Sequence, residues 1–151
     1  MLFRSCDLED HKIKVLSADG KDLLLSFSAP DCNLNPWCAV CHQDRFFVSY
    51  GDTNCVKVYN SAGVYLYDIG CEGSGDGQLN NPIGLVIDKL NRLIVCDSKN
   101  DRLQVFTLDG KFISKIKGQY FDESNLMSAA VSATGHLFVT DVSKKCIYVF
   151  Q

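Results

Sequence analysis

Residues Trp37 to His42 read WCAVCH and place Cys38, Cys41 and His42 at a C-x-x-C-H spacing. That spacing serves c-type haem attachment, and it offers up to three ligands to a zinc ion. The setting argues against both. The segment is a short apolar run of the kind that forms a strand, and side chains along a strand alternate between faces. Cys38 and Cys41, three positions apart, then point in opposite directions. No second C-x-x-C stands in the chain to complete a zinc site. Neither haem nor metal is expected here.

Gly70 to Gln78 reads GCEGSGDGQ. A phosphate-cradling loop needs a Gly-Lys-Ser/Thr ending that opens a helix. This one lies between two apolar runs and carries no Lys, so it reads as a connector whose glycines take positive φ. Asp97 and Asp141 recur in one repeat slot, with Asp7 there as well and Gly51 in the remaining unit. Repetition points to carboxylates that bond nearby amides in turns, whereas a catalytic carboxylate is more naturally singular. The three histidines, His11, His42 and His136, form no Ser-His-Asp pattern. No catalytic residue and no cofactor are expected.

The elements that hold these residues repeat. Ile83–Ile87, Leu93–Cys96, Leu103–Thr107 and Lys111–Ile116 are short apolar runs parted by polar turns, and Asp109-Gly110 is a hairpin signal. They read as one four-stranded antiparallel meander. Val58-Tyr59 matches Val105-Phe106 at an offset of 47 and Val149-Phe150 matches it at 44, while the segment from His11 matches that from Asp101 at 90. Four strands per unit in the mid-forties is the period of a β-propeller blade. The fold class is therefore all-β, an incomplete β-propeller of about three and a half four-stranded blades. The units are 1–34, a partial blade lacking its first strand; 35–70; 71–118; and 119–151, lacking its last strand. Closed propellers have four to eight blades, so the chain is expected to be a fragment of a longer protein.

The stretch G-x-G-x-G-Q-L-x-x-P-x-G-L-x-x-D followed by L-I-V-x-D-x-x-N-x-R-L-Q-V-F-x-x-D-G, within residues 70–118, resembles the NHL repeat. The flanking units follow it more loosely. NHL propellers are found at the C-terminus of TRIM-NHL proteins, which are RING-type ubiquitin ligases and RNA or protein binders. The resemblance implies an interaction module that selects a substrate, with ubiquitin transfer by a RING domain that this chain lacks. It leaves two alternatives: single-stranded RNA binding through the same surface, and a piece of a secreted propeller enzyme or receptor. The peptide-amidating lyase of NHL type uses metal-binding histidines, and the three here give no match to it.

Composition agrees with a folded domain. The chain has 151 residues, 46% of them hydrophobic, and a formal charge of −3, which is no basic footprint for nucleic acid. Its apolar runs fall far short of the roughly 20 residues of a membrane-spanning helix, and MLFRSCDLED turns charged too early for a signal peptide. Among the eight cysteines, Cys6 and Cys96 share a repeat slot, and Cys55 and Cys146 share that of Arg102. Equivalent slots lie on different blades, so reduced thiols and a cytoplasmic location are expected.

Loops between second and third strands emerge with the blade connectors on one face of a propeller. On that face the sequence places Asp52 and Asn54, Lys99, Asn100 and Asp101, and Lys144 and Lys145, with Tyr120 and Phe121 exposed in a connector. Such a face binds a protein through its aromatics, or tracks RNA through lysines and stacking. A protein partner is expected first and RNA second, with no membrane. An arc of blades also leaves two apolar blade faces open, so self-association is expected.

Overall fold

The computed structural model describes residues 3–31 and 33–151. Their strands form four antiparallel sheets in chain order. The first holds β1 (Phe3–Asp7), β2 (Lys12–Leu16) and β3 (Leu23–Ser28). The second holds β4 (Pro36–His42), β5 (Arg45–Tyr50), β6 (Cys55–Asn60) and β7 (Tyr65–Ile69). The third holds β8 (Pro82–Ile87), β9 (Arg92–Asp97), β10 (Arg102–Thr107) and β11 (Phe112–Ile116). The fourth holds β12 (Leu126–Val131), β13 (Leu137–Asp141) and β14 (Cys146–Phe150). Two short 3-10 turns, Ser98–Asn100 and Gln119–Phe121, are the helical segments among the described residues. This is the incomplete propeller that the repeat period implies, with three, four, four and three strands.

The sheets stack through three apolar seams. Ile13, Val15 and Phe27 meet Phe46, Val48, Tyr50 and Tyr59 between the first two sheets. Phe47, Val56, Val58 and Ile69 meet Leu85, Leu93, Val95 and Phe106 between the second and third. Ile94, Cys96, Leu103 and Val105 meet Leu126, Leu137 and Val139 between the third and fourth. A middle strand such as β5 is thus covered on both faces, which is why it reads as a continuous apolar run instead of an alternation. Burying one Val, Leu or Phe side chain stabilises by about 1.5–3 kcal/mol, so the seams supply the main force holding the sheets in an arc. Inner strands β4, β8 and β12 run side by side. At Gly84 a Cβ would lie 2.8 Å from the Met127 carbonyl and 2.8 Å from the Ser128 Cα, so only glycine lets β8 and β12 approach this closely.

The two ends of the arc differ in polarity. On the outer face of the fourth sheet Phe138, Ile147 and Val149 are 39%, 61% and 54% exposed. Their repeat equivalents Ile94, Leu103 and Val105 are buried in the third seam. The outer face of the first sheet is more polar: it carries Ser5, Lys12, Lys14, Ser26 and Ser28 beside Leu16 and Leu23, the latter 56% exposed. There Lys14 pairs with Asp7 at 2.5 Å and Asp10 at 2.9 Å.

Candidate functional site

Cys38 and Cys41 take opposite faces of β4, as a period of two requires. Cys38 packs in the seam toward the third sheet and Cys41 in the seam toward the first. Burial pushes the Cys96 thiol up to about 12, so it stays protonated and unreactive at neutral pH. Cys32 lies outside the described residues; the other seven cysteines are free thiols. Among the described residues no three His, Cys, Asp or Glu side chains cluster at metal-binding distance.

The glycine-rich connector has the polarity opposite to that of a phosphate cradle. Gly70, Gly73 and Gly77 take positive φ, as expected of a connector. Their turn aims carbonyls, not amides, at a cation. The Arg102 guanidinium donates to the carbonyls of Ser74 at 2.8 Å, Gly75 at 2.9 Å and Gln78 at 2.9 Å, and to Asp97 Oδ2 at 2.7 Å. Gln104 donates to Asp97 and to the Gln78 carbonyl, and its Oε1 accepts from the Gly77 amide at 2.9 Å. The Arg102 and Asp97 side chains are 4% and 0% exposed. A buried pair of this kind is tolerable because every polar group finds a partner. The signal for it was in the sequence: RLQVF puts Arg102 and Gln104 on one face of an apolar strand.

The repeated aspartates bond amides, the structural role read from their repetition. Asp7 Oδ1 accepts from the amides of Glu9 and Asp10, Asp97 Oδ1 from Asn80, and Asp141 Oδ1 from Asn125 and Lys144. In the second sheet the slot belongs to Tyr50, not Gly51: Tyr50 stands opposite Cys55 as Asp97 stands opposite Arg102. Its hydroxyl is buried against that of Tyr59 at 3.0 Å. Burial alone would push the Asp141 carboxyl up, but the hydrogen bonds it accepts outweigh this and hold it below the usual carboxylate range. The Lys14 ammonium and the loop amides do the same for Asp7. A carboxyl whose folded pKa is depressed adds stability above its unfolded value, near 3.9, and that stability is lost as pH falls through the folded pKa. The thermal midpoint is expected to drop on acidification from pH 5 toward pH 3. Asp141→Asn should lower the neutral midpoint and flatten that drop; an unchanged acid profile in circular dichroism melts would refute the assignment.

The loop face holds the expected residues in unequal roles. His11, Asn54, Asp101 and Lys145 occupy one repeat slot with φ of 54°, 54°, 51° and 54°. Asn and Asp tolerate this left-handed conformation best, so Asn54 and Asp101 are first of all turn residues. Asn54 also accepts from the Asn81 amide at 2.8 Å. Asn100 donates to Asp97 and to the Gly73 carbonyl, so it belongs to the Arg102 network. Lys99, Asp52, Lys144 and Lys145 are exposed. Lys144 Nζ donates to the Tyr120 carbonyl at 3.0 Å, and the Tyr148 hydroxyl donates to the same carbonyl at 2.6 Å.

Phe121 is the correction. The 3-10 turn rotates it inward, where it is 3% exposed and meets Tyr148 and Phe150 edge-on at 4.9 and 5.9 Å. Tyr120, one residue earlier, is 70% exposed. Two apolar surface residues were missed, Trp37 at 42% and Val142 at 56% exposed. An apolar residue at the start of an inner strand, or inside the polar loop Val142–Lys145, was the available signal.

The arc defines the fold class, an incomplete β-propeller, and one stretch of it matches the NHL repeat. The NHL repeat model matches residues 79–106, which span β8, β9 and most of β10. Among curated relatives the chain is similar to Protein lin-41 of Caenorhabditis elegans, 54% identical over 50 residues, which is 33% of this chain and 4% of that protein. It is also similar to the E3 ubiquitin-protein ligase TRIM71 of Rattus norvegicus, 39% identical over 59 residues, 39% of this chain and 7% of that protein. The chain thus resembles TRIM-NHL proteins and spans a small part of their length. Among solved structures, streptogramin B lyase superposes with a TM-score of 0.75 at 12% identity, over 99% of this chain and 50% of that one. The WD40 β-propeller domain of Doa1 superposes with 0.73 at 14% identity, over 99% of this chain and 46% of that one. At such identities the likeness is one of fold.

Proposed function

We propose that this chain is a protein-interaction module that docks a partner on its loop face. In a longer protein resembling the TRIM-NHL ligases, it would choose the substrate for ubiquitin transfer carried out elsewhere. The observation that carries the reading is Tyr120. It is the most exposed aromatic among the described residues, yet its backbone is pinned by Lys144 and Tyr148. With its backbone already fixed the loop needs little ordering on binding, and an exposed aromatic makes a good anchor. The charges around it favour a protein over RNA. Lys99, Lys144 and Lys145 share the face with Asp52, Glu72, Asp76, Asp122 and Glu123, a mixture that gives no continuous track for phosphates.

The test is a pull-down from cytosol with and without nuclease, followed by titration of the recovered partner. Tyr120→Ala should weaken binding by at least about tenfold, the scale of a hot-spot residue. Lys99→Glu with Lys145→Glu should change it little; Lys144 is left in place because it holds Tyr120. If nuclease abolishes recovery and the lysine pair dominates, the ligand is RNA. If neither variant alters binding, the loop face is only solvated surface.

A further inference from the structure

A cavity of about 310 Å³ opens between the first and second sheets, lined by Val15, Leu25, Cys41, Asp44, Phe46 and Ser61. It lies at the end of the sheets opposite the loop face, beside the β4–β5 and β6–β7 turns. The repeat explains why it is there. Register makes Leu25 the equivalent of Tyr67, since each stands opposite the valine before the irregularity, Val15 or Val58. Cys41 is the equivalent of Ile87, opposite Phe46 and Leu93 respectively. Ser61 follows Asn60 as Leu108 follows Thr107, and Asn60 and Thr107 pair with Arg45 and Arg92.

In the second seam Tyr67, Ile87 and Leu108 occupy this place. The Tyr67 hydroxyl donates across the sheets to the Leu108 carbonyl at 2.7 Å and accepts from Arg45 at 2.8 Å. In the first seam three smaller side chains stand there. Leu25 lacks the phenol, Cys41 is shorter than Ile87, and Ser61 is shorter than Leu108. Phe46 exceeds its counterpart Leu93 and makes up part of the difference. A void in a packed seam forfeits contacts along its walls, and an apolar void takes up a ring of matching shape. The hydrogen-bond acceptor is also in place. In the turn 60–64 the Asn60 amide donates to the Val64 carbonyl and the Gly63 amide to the Asn60 carbonyl. In the turn 107–111 Thr107 and Gly110 make the same two bonds. The Ser61 carbonyl is therefore set as the Leu108 carbonyl is.

We propose that this cavity is a binding site for a small uncharged phenol. The ring lies against Val15, Leu25 and Phe46. Its hydroxyl donates to the Ser61 carbonyl, the contact that Tyr67 makes one seam further on. The exposed Asp44 carboxylate beside the cavity disfavours an anion of the same shape. The slot that holds a tyrosine in the second sheet is already taken here by Leu25, so the space is not one that the outer strand of the repeat would fill. The cavity and the loop face are at opposite ends of the sheets, so either reading can fail alone.

The probe is 4-methylphenol, the side chain of tyrosine, titrated into the whole chain and followed by NMR of the backbone amides. Saturable binding at one site is expected, with shifts centred on Leu25, Phe46 and Ser61. Toluene, which has no donor, should bind about tenfold more weakly, the scale of one buried hydrogen bond. The anion 4-methylbenzoate should bind more weakly still. Leu25→Tyr supplies the phenol from the chain itself and should abolish binding. Ser61→Leu restores the leucine of the second seam at an exposed turn position; it should abolish binding too, and it decides the matter if Leu25→Tyr does not fold. Shifts that do not saturate, or that centre on another surface, would overturn the proposal. So would toluene or 4-methylbenzoate binding as tightly, or full binding retained by either folded variant.

Discussion

Arg102→Ala is expected to lower the unfolding free energy by about 3–5 kcal/mol, because it leaves the buried Asp97 carboxylate without its cation. Three connector carbonyls lose their donor in the same step. For a domain whose total stability is on the order of 5–15 kcal/mol, this is a large share of it. Arg102→Lys keeps the charge but not the planar fork that reaches Asp97 and three carbonyls together, so an intermediate loss is expected. Urea titration decides: a midpoint for the alanine variant within about 1 kcal/mol of the parent, at unchanged slope, would mean that the connector is held by its glycine turns alone.

Phe106→Ala should cost about 3–5 kcal/mol, the range for emptying a buried aromatic site. Phe106 is fully buried in the seam between the second and third sheets and touches Phe112 edge-on. Val149→Ala, by contrast, removes methyl groups from a surface that is 54% exposed and should stay within about 0.5 kcal/mol. The comparison separates a buried seam from an open face in the same repeat. Similar losses at both positions would mean that the outer face of the fourth sheet is covered in solution.

The strands were legible because turn residues bracket each apolar run. RFFVSY and CVKVYN coincide with β5 and β6 to the residue. What alternation could not reveal is which face meets which neighbour, since both faces of a middle strand are apolar. Phe121 was misplaced for a related reason. QYFDESN is polar and has no period, so nothing in it distinguishes the ring that turns inward from the one that turns out. Gly51 was put in the aspartate slot because a turn glycine stands out, whereas the backbone register assigns Tyr50. The lysines were legible as exposed loop residues, but the bonds that make Asn54 and Asn100 structural run to connectors 27 residues away.

Each seam joins only sheets that are neighbours in sequence, and the first seam is built wholly from residues between Ile13 and Tyr59. During synthesis that core is complete before the glycine-rich connector has been made. The nascent chain can therefore bury its leading apolar surface while the rest is still being added, instead of waiting for distant segments to arrive. Loop closure over such short separations is fast compared with elongation at about 5–20 residues per second, so this order of assembly follows from the stacking itself.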